Sequence, residues 1–161
     1  TLAAQLQAHW NLSKFEGLDM LRAGALLHEL GLLIEYKNHH HHGAYIISHT
    51  ELPGFTRAQQ QLLMALVFNH RADIQREIIA RQTMTSVLLA VRLTRLLRLA
   101  VTLSMRRKHE ALPEVTISAQ GEILTLALPL GFLDQHPLMR AELEQEIQYQ
   151  HQAGWQLLLK S

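Results

Sequence analysis

The spacing of apolar residues changes at Pro113, and this change limits the possible folds. Before it, apolar side chains recur every three or four residues, the period of a helix packed on a core. After it, two runs of β-forming residues, 115–117 and 123–128, flank the turn Ala119-Gln120-Gly121. This pattern is typical of a β-hairpin. The sequence therefore predicts a mainly α fold, a helical body followed by a small annex.

The body is predicted to span residues 1–110 and the annex residues 111–161, as one cooperative unit. Thr56, with Gln59 and Gln60 after it, predicts a capped helix start, and Asp134 and Pro137 predict the start of the last helix. Residues 36–43 are predicted as a loop or a helix start. The predicted helices are 2–12, 18–33, 44–48, 57–70, 85–108 and 134–153, and residues 155–159 are predicted as a third strand beside the hairpin.

Composition excludes several classes of function. The net charge of +1 argues against a globally basic nucleic-acid-binding surface, and the absence of cysteine excludes disulfides, thiolate zinc sites and cysteine nucleophiles. Two apolar stretches, 21–34 and 87–103, carry charged residues within them, which is costly in a bilayer. We therefore expect no membrane segment and a cytoplasmic setting. The chain begins at Thr1 rather than Met, so we expect it to be part of a longer protein.

Eleven histidines are the unusual feature of the composition. His28-Glu29 lies in an apolar helical segment, so it is either part of a metal site or a hydrogen-bonded core histidine beside a surface glutamate. His39–His42 either chelates a metal or contacts anions, or it is a solvated polar loop. Asn69-His70-Arg71 is interpreted as ordinary capping at the end of a helix, with contact to an anion as the alternative.

The predicted long helix carries an arginine stripe, defined as Arg92, Arg95, Arg98 and Arg106. At about 100° per residue, these four side chains share an arc of about 120°. One explanation is contact with phosphate groups, which arginine binds well. The alternative is pairing with acidic residues of the last helix, namely Glu142, Glu144 and Glu146. No glycine-rich phosphate loop or Ser-His-Asp signature is found, and Leu32 stands where a zinc-protease motif would need its second histidine.

Several motifs, taken in order, resemble the C-terminal domain of the exopolyphosphatase/guanosine pentaphosphate phosphatase family. The similarity covers nearly the whole chain. It rests on Leu27-His28-Glu29-Leu30-Gly31, His40-His41-His42-Gly43-Ala44-Tyr45-Ile46-Ile47, Leu52-Pro53-Gly54-Phe55, Asn69-His70-Arg71, Leu96-Leu97-Arg98-Leu99-Ala100, and the ending from Leu128-Pro129 to Gly154-Trp155.

The resemblance implies a helical domain similar to the HD phosphohydrolases. It also implies that catalysis and Mg²⁺ binding belong to N-terminal actin-like domains that this chain lacks. An HD metal centre needs His-Asp and a later Asp, whereas this chain has His28-Glu29 and Val101. We therefore expect a degenerate HD position (His28, Glu29 and Val101), no catalytic residue, no metal or cofactor in this chain, and no hydrolysis of its own.

By the same resemblance, the chain is expected to help bind polyphosphate or guanosine pentaphosphate and to contribute to a homodimer. The alternatives are an autonomous HD-type metal-dependent phosphohydrolase, and a polyanion- or nucleic-acid-binding module. Nucleic acid is the weaker partner, because few aromatic residues are available for stacking on bases. The predicted anion-contacting residues are Lys37, His40, His42, Arg92, Arg95, Arg98 and Arg106.

Overall fold

The computed structural model describes residues 1–104 and 113–161, apart from the side chain of Phe15. Its body contains α1 (Leu2–Leu6), a π-helical turn (Lys14–Leu18), α2 (Asp19–Leu27), a 3₁₀ turn (Leu30–Leu33), α3 (His39–His49), α4 (Arg57–Phe68), α5 (Arg76–Arg81) and α6 (Val87–Ser104). Its annex contains β1 (Thr116–Gln120), β2 (Ile123–Ala127), α7 (Phe132–Gln135), α8 (Pro137–Gln152) and β3 (Leu157–Lys160). The predicted mainly α fold with a small α+β annex is confirmed.

Helix α6 is the central element of the molecule. It contacts α1, α2, α4 and α5 in the body and α8 in the annex. Leu93, Leu96, Leu97 and Leu99 are buried on it, and they belong to a core cluster that also includes Leu124 of β2. Body and annex therefore share one continuous hydrophobic core. No helix in the described ranges combines the length and apolarity that a membrane span requires.

The three strands form a sheet in the order β1-β2-β3. Strands β1 and β2 pair antiparallel. Gln120, the last residue of β1, lies opposite Ile123, so residues 121 and 122 form the turn between the strands. Strand β3 pairs parallel with β2, Leu157 opposite Leu124, and α8 supplies the crossover that such pairing needs. The hairpin and the third strand beside it are thus confirmed. Side chains from α1 and the turn after it fasten the hairpin: Gln5 donates to the Val115 carbonyl at 3.0 Å, and Trp10 Nε1 donates to the Gly121 carbonyl at 2.9 Å.

Two predicted helices are shorter than the apolar pattern indicates. The helix predicted over 2–12 ends at Leu6, and the chain reverses at Asn11, whose φ is 54°. The helix predicted over 18–33 stops at Leu27 and continues as the 3₁₀ turn. In contrast, α3 begins earlier than expected, at His39, so all four consecutive histidines are helical. The capped start of α4 is confirmed, with a complete capping box between Thr56 and Gln59. Residues 105–108 of the predicted long helix lie outside the described residues.

A close backbone contact explains the break after α2. A Cβ atom added to Gly31 would lie 1.7 Å from the His39 carbonyl oxygen and 2.7 Å from the Gly43 nitrogen. Only glycine therefore lets the 3₁₀ turn lie directly against α3. Since α3 carries the histidines, this contact also fixes where they lie relative to α2.

Replacing Gly31 with alanine should therefore destabilise the protein severely. The new methyl group meets backbone atoms that cannot rotate away, so we expect a loss of at least about 3 kcal/mol in the free energy of unfolding. Urea denaturation measures this loss. Gly17→Ala is the matched control, because its Cβ would meet Leu12 at an ordinary 3.4 Å. Equal stability of the two variants would contradict the packing described here.

Candidate functional site

Histidines from three helix ends meet where α2 stops, α3 begins and α4 stops. We call His28, His39, His40, His41 and His70 the histidine cluster. The ring centre of His70 lies 5.3 Å from those of His28 and His39 and 6.2 Å from that of His40. His41 packs 4.1 Å from His40 and stacks on Phe68. Because these residues are spread over positions 28 to 70, the sequence alone does not indicate that they lie close together.

The buried histidines of the cluster, His39, His40 and His70, are held in the uncharged state. Burial is the main cause that lowers the pKa of His70 to about 3 and the pKa of His40 to about 3. Burial also lowers the pKa of His39, and the nearby charge of Arg71 adds to the effect. His39 Nδ1 lies 2.7 Å from an Arg71 guanidinium nitrogen and 3.0 Å from the Tyr36 carbonyl oxygen. Arg71 can donate to this nitrogen when a neutral His39 carries its proton on Nε2. Neutral imidazoles can therefore pack close together without mutual repulsion.

Two buried ring nitrogens of the cluster have no hydrogen-bond partner among the described residues. His70 donates through Nδ1 to the Val67 carbonyl, a tautomer assigned from the hydrogen bond, and its Nε2 is buried without a hydrogen bond in the described part of the chain. His40 Nδ1 is also buried without one. Unpaired buried polar atoms cost free energy, so these two nitrogens lower the stability of the site.

The degenerate HD position does not suit the metal centre of the HD phosphohydrolases. His28 belongs to the cluster, and its Nε2 lies 3.9 Å from the carboxylate of Glu29, which is mostly exposed. Val101 is half-buried beside His70 in a groove between α6 and α8, and its side chain has no atom that could ligate a metal. Among the described residues, no group of three or more His, Asp or Glu side chains is placed to hold a metal. The prediction that this chain has no metal of its own stays a prediction.

The arginine stripe lies on one side of α6, but that side faces the annex. Arg95 and Arg98 are fully buried, with at most 1% of either residue exposed. Arg92 is half-buried. Arg106 lies outside the described residues. The stripe therefore does not form a continuous surface for a phosphate chain.

Arg98 forms both an ion pair and hydrogen bonds inside the protein. It forms a two-point ion pair with Glu146 of α8, with N–O distances of 2.7 and 3.1 Å. It also donates to the carbonyls of Asn69 and Ala72, at 2.6 and 2.8 Å. At Arg98, the alternative interpretation therefore holds: this arginine pairs with an acidic residue of the last helix.

Arg95 and Arg92 have internal partners too. Arg95 donates to Gln150 and to the Gln156 carbonyl, each at 2.8 Å, and burial lowers its pKa to about 10. Arg92 pairs with Glu122 and donates to the Trp10 carbonyl at 3.1 Å. His40, at 4% exposure, is likewise inaccessible. These positions correct the prediction that His40, Arg95 and Arg98 contact a polyanion from solvent.

Two of the predicted anion-contacting residues, Lys37 and His42, stay accessible near the start of α3. Lys37 is exposed. His42 is partly exposed, with Nε2 3.4 Å from a Glu35 carboxylate oxygen. Arg71 lies with its guanidinium carbon 5.6 Å from the ring centre of Tyr36, the neighbour of Lys37. We call Lys37, His42 and Arg71 the α3 cation group. Arg71 was not among the predicted anion-contacting residues, because capping was preferred over anion contact as the explanation of a cation at the end of a helix.

Comparison with known proteins identifies the class to which this fold belongs. Residues 1–147 match the family model described as Ppx/GppA phosphatase, domain III. The chain belongs to this family, and the resemblance to its C-terminal domain is confirmed.

Two similar proteins carry the same description. The guanosine-5'-triphosphate,3'-diphosphate pyrophosphatase of Aeromonas salmonicida is 46% identical over 151 residues, which make up 94% of this chain and 30% of that protein. The protein of the same description from Pseudoalteromonas translucida is 42% identical over 158 residues, 98% of this chain and 32% of its own length. The chain thus spans less than a third of the relatives that it matches.

Breaking the Arg98–Glu146 pair should cost far more than breaking a surface pair. Glu146→Ala leaves a buried guanidinium without its counter-charge, and we expect the free energy of unfolding to fall by about 3–5 kcal/mol. The control is Asp134→Ala, which removes the exposed partner of Arg140 and should cost at most about 1 kcal/mol. Urea denaturation of both variants distinguishes these costs. Similar losses would show that Glu146 does not hold the annex to the body.

The neutral His70 should make the protein less stable in acid. The folded pKa, about 3, lies below the unfolded value of 6.5, so the contribution is fully present above pH 6.5 and is lost as the pH falls toward 3. Between pH 7 and pH 4.5, we expect His70 alone to account for a loss of about 2–3 kcal/mol.

His70→Gln removes this titration, and it should flatten the dependence of unfolding free energy on pH by that amount. His151→Gln, at an exposed site on α8, should leave the dependence unchanged. Denaturation curves at a series of pH values test both. An unaltered dependence in His70→Gln would mean that His70 is not held neutral.

Proposed function

We propose that this chain is an accessory domain of a cytoplasmic phosphatase that removes a terminal phosphate from guanosine pentaphosphate or polyphosphate. The observation that carries the proposal is the match to domain III of the Ppx/GppA phosphatases. The two relatives named above are guanosine-5'-triphosphate,3'-diphosphate pyrophosphatases, which supports a substrate rich in phosphate. On this proposal, hydrolysis and Mg²⁺ binding belong to the other domains of the parent protein.

The domain would contribute binding of the polyanion rather than chemistry. The α3 cation group supports this role, because the positive end of the helix dipole adds to the charges of Lys37 and Arg71. His42 can add a further charge when it is protonated. The carboxylate of Glu35 lies beside His42 and limits the net charge, so we expect affinity to be modest and strongly dependent on salt.

The proposal assigns no hydrolytic step to this chain. A metal-dependent phosphohydrolase needs ligands that position and polarise a water molecule or a phosphate. Val101 has no atom that could ligate a metal. The cluster histidines pack against one another, and His39 also contacts the Arg71 guanidinium. The degenerate HD position would then be a structural junction between α2, α3 and α4.

Calorimetric titration with long-chain polyphosphate, without metal and at two salt concentrations, tests the proposed binding. We expect micromolar binding that weakens steeply as salt rises. Lys37→Glu should reduce the affinity about tenfold, because it replaces a cation by an anion near the start of α3. Lys160→Glu makes the same change of charge on β3 of the annex and is the matched control. Single-stranded DNA at matched salt tests the alternative, a general nucleic-acid-binding module.

Two results would contradict the proposed binding role. One is the absence of polyphosphate binding at low salt, which would leave a scaffolding role for the domain. The other is an equal effect of Lys37→Glu and Lys160→Glu, which would indicate a general charge effect rather than a site at α3.

A further inference from the structure

The groove between α6 and α8 has the size and lining of a site for a small molecule. Its volume is about 340 Å³, which lies within the range of about 300–1,000 Å³ for such sites. Val101 of α6 and Leu138 and Ala141 of α8 make part of its lining apolar. Leu138 and Ala141 are exposed, so a ligand can reach this lining from solvent. Apolar walls with a few polar groups beside them suit a flat organic ring.

Polar groups of opposite character line the two sides of this groove. On the side of α8, Glu142 and Gln145 carry side-chain oxygens that accept hydrogen bonds. Glu146 lies on the same side, but it pairs with Arg98. On the side of α4, Arg71 brings a positive charge. A ligand that fits therefore presents N–H donors to α8 and negative charge to Arg71.

Arg71 also belongs to the α3 cation group, and it thereby joins the groove to the proposed phosphate site. Its guanidinium carries more N–H donors than the contact with His39 can use, so donors remain for a phosphate oxygen. The guanidinium carbon lies 5.6 Å from the ring centre of Tyr36, the neighbour of Lys37. A phosphate chain held by the α3 cation group would therefore reach the edge of the groove.

Guanine meets the chemical requirements of the α8 side. Its Watson–Crick edge carries adjacent N–H donors, at N1 and at the exocyclic N2, and such donors pair with carboxylate or amide oxygens. Adenine has an acceptor at N1 instead, which would face the acceptors of Glu142 and Gln145. The charge of Glu142 also repels phosphate. In a guanine nucleotide, the base therefore lies toward α8 and the phosphates lie toward Arg71.

We propose that this groove binds the guanine base of a guanosine polyphosphate whose phosphate chain lies along the α3 cation group. The inference rests on the proposed function and deepens it, because it selects the nucleotide over inorganic polyphosphate as the ligand of this domain. Inorganic polyphosphate has no ring to fill the apolar part of the groove. Binding of the base requires no hydrolysis by this chain.

Calorimetric titration of this chain with GTP, ATP and inorganic tripolyphosphate, without metal, tests the proposal. All of these probes carry a triphosphate. Tripolyphosphate is at least as highly charged as GTP, so tighter binding of GTP reports the nucleoside. We expect GTP to bind at least about tenfold more tightly than tripolyphosphate and severalfold more tightly than ATP, because unpaired acceptors penalise the wrong base.

A variant that fills the groove separates recognition of the base from attraction of the phosphates. Ala141→Phe keeps the charge of the site, and it should lower the affinity for GTP about tenfold while leaving tripolyphosphate binding unchanged. Ala25→Phe is the matched control: Ala25 is exposed on α2 and lines a different groove, so its replacement should leave both affinities unchanged. Circular dichroism establishes that each variant is folded.

The outcomes distinguish failure of this inference from failure of the proposed function. GTP that binds no more tightly than tripolyphosphate or ATP overturns recognition of the base, and it leaves the binding of a polyanion at α3 intact. The absence of binding for all of the probes overturns both. An equal effect of Ala141→Phe and Ala25→Phe on GTP overturns the groove as the site of the base. Lys37→Glu should weaken GTP and tripolyphosphate alike, since both use the α3 cation group.

Discussion

The buried ion pair between Arg98 and Glu146 is the interaction on which the rest of this structure depends. It joins the central helix of the body to the last helix of the annex. The same guanidinium donates hydrogen bonds to the carbonyls of Asn69 and Ala72, just beyond the end of α4. A buried pair of this kind adds little net stability, because desolvation offsets the attraction, but its geometry specifies how the elements meet. One side chain thus fixes the position of α4, α6 and α8 together.

The histidine cluster depends on that arrangement. His70 directly follows Asn69, so the hydrogen bond from Arg98 to the Asn69 carbonyl also restrains the ring around which His28, His39 and His40 pack. The Gly31 contact fixes the opposite side, where α3 begins. Burial keeps His39, His40 and His70 neutral at physiological pH, and neutral rings can pack this closely. The histidine cluster therefore joins the ends of α2 and α4 to the start of α3.

The sequence predicted the outline of the fold better than the environment of its polar residues. The spacing of apolar residues, the capping residue Thr56 and the turn that contains Gly121 are local signals. They correctly predicted the capped start of α4, the hairpin and the third strand. The arginine stripe was correctly placed on one side of α6, but helical periodicity does not say what packs on that side. A stripe facing solvent and one facing an annex have the same spacing. The burial of Arg95 and Arg98 follows from contacts with residues about 50 positions away, which no local pattern reports.

The described residues of the arginine stripe and those of the α3 cation group thus have different physical roles. Arg92, Arg95 and Arg98 pair internally and hold the annex to the body, so they have little capacity left for a ligand. Lys37, His42 and Arg71 stay accessible because α3 begins at the surface, where Gly31 brings it against the end of α2.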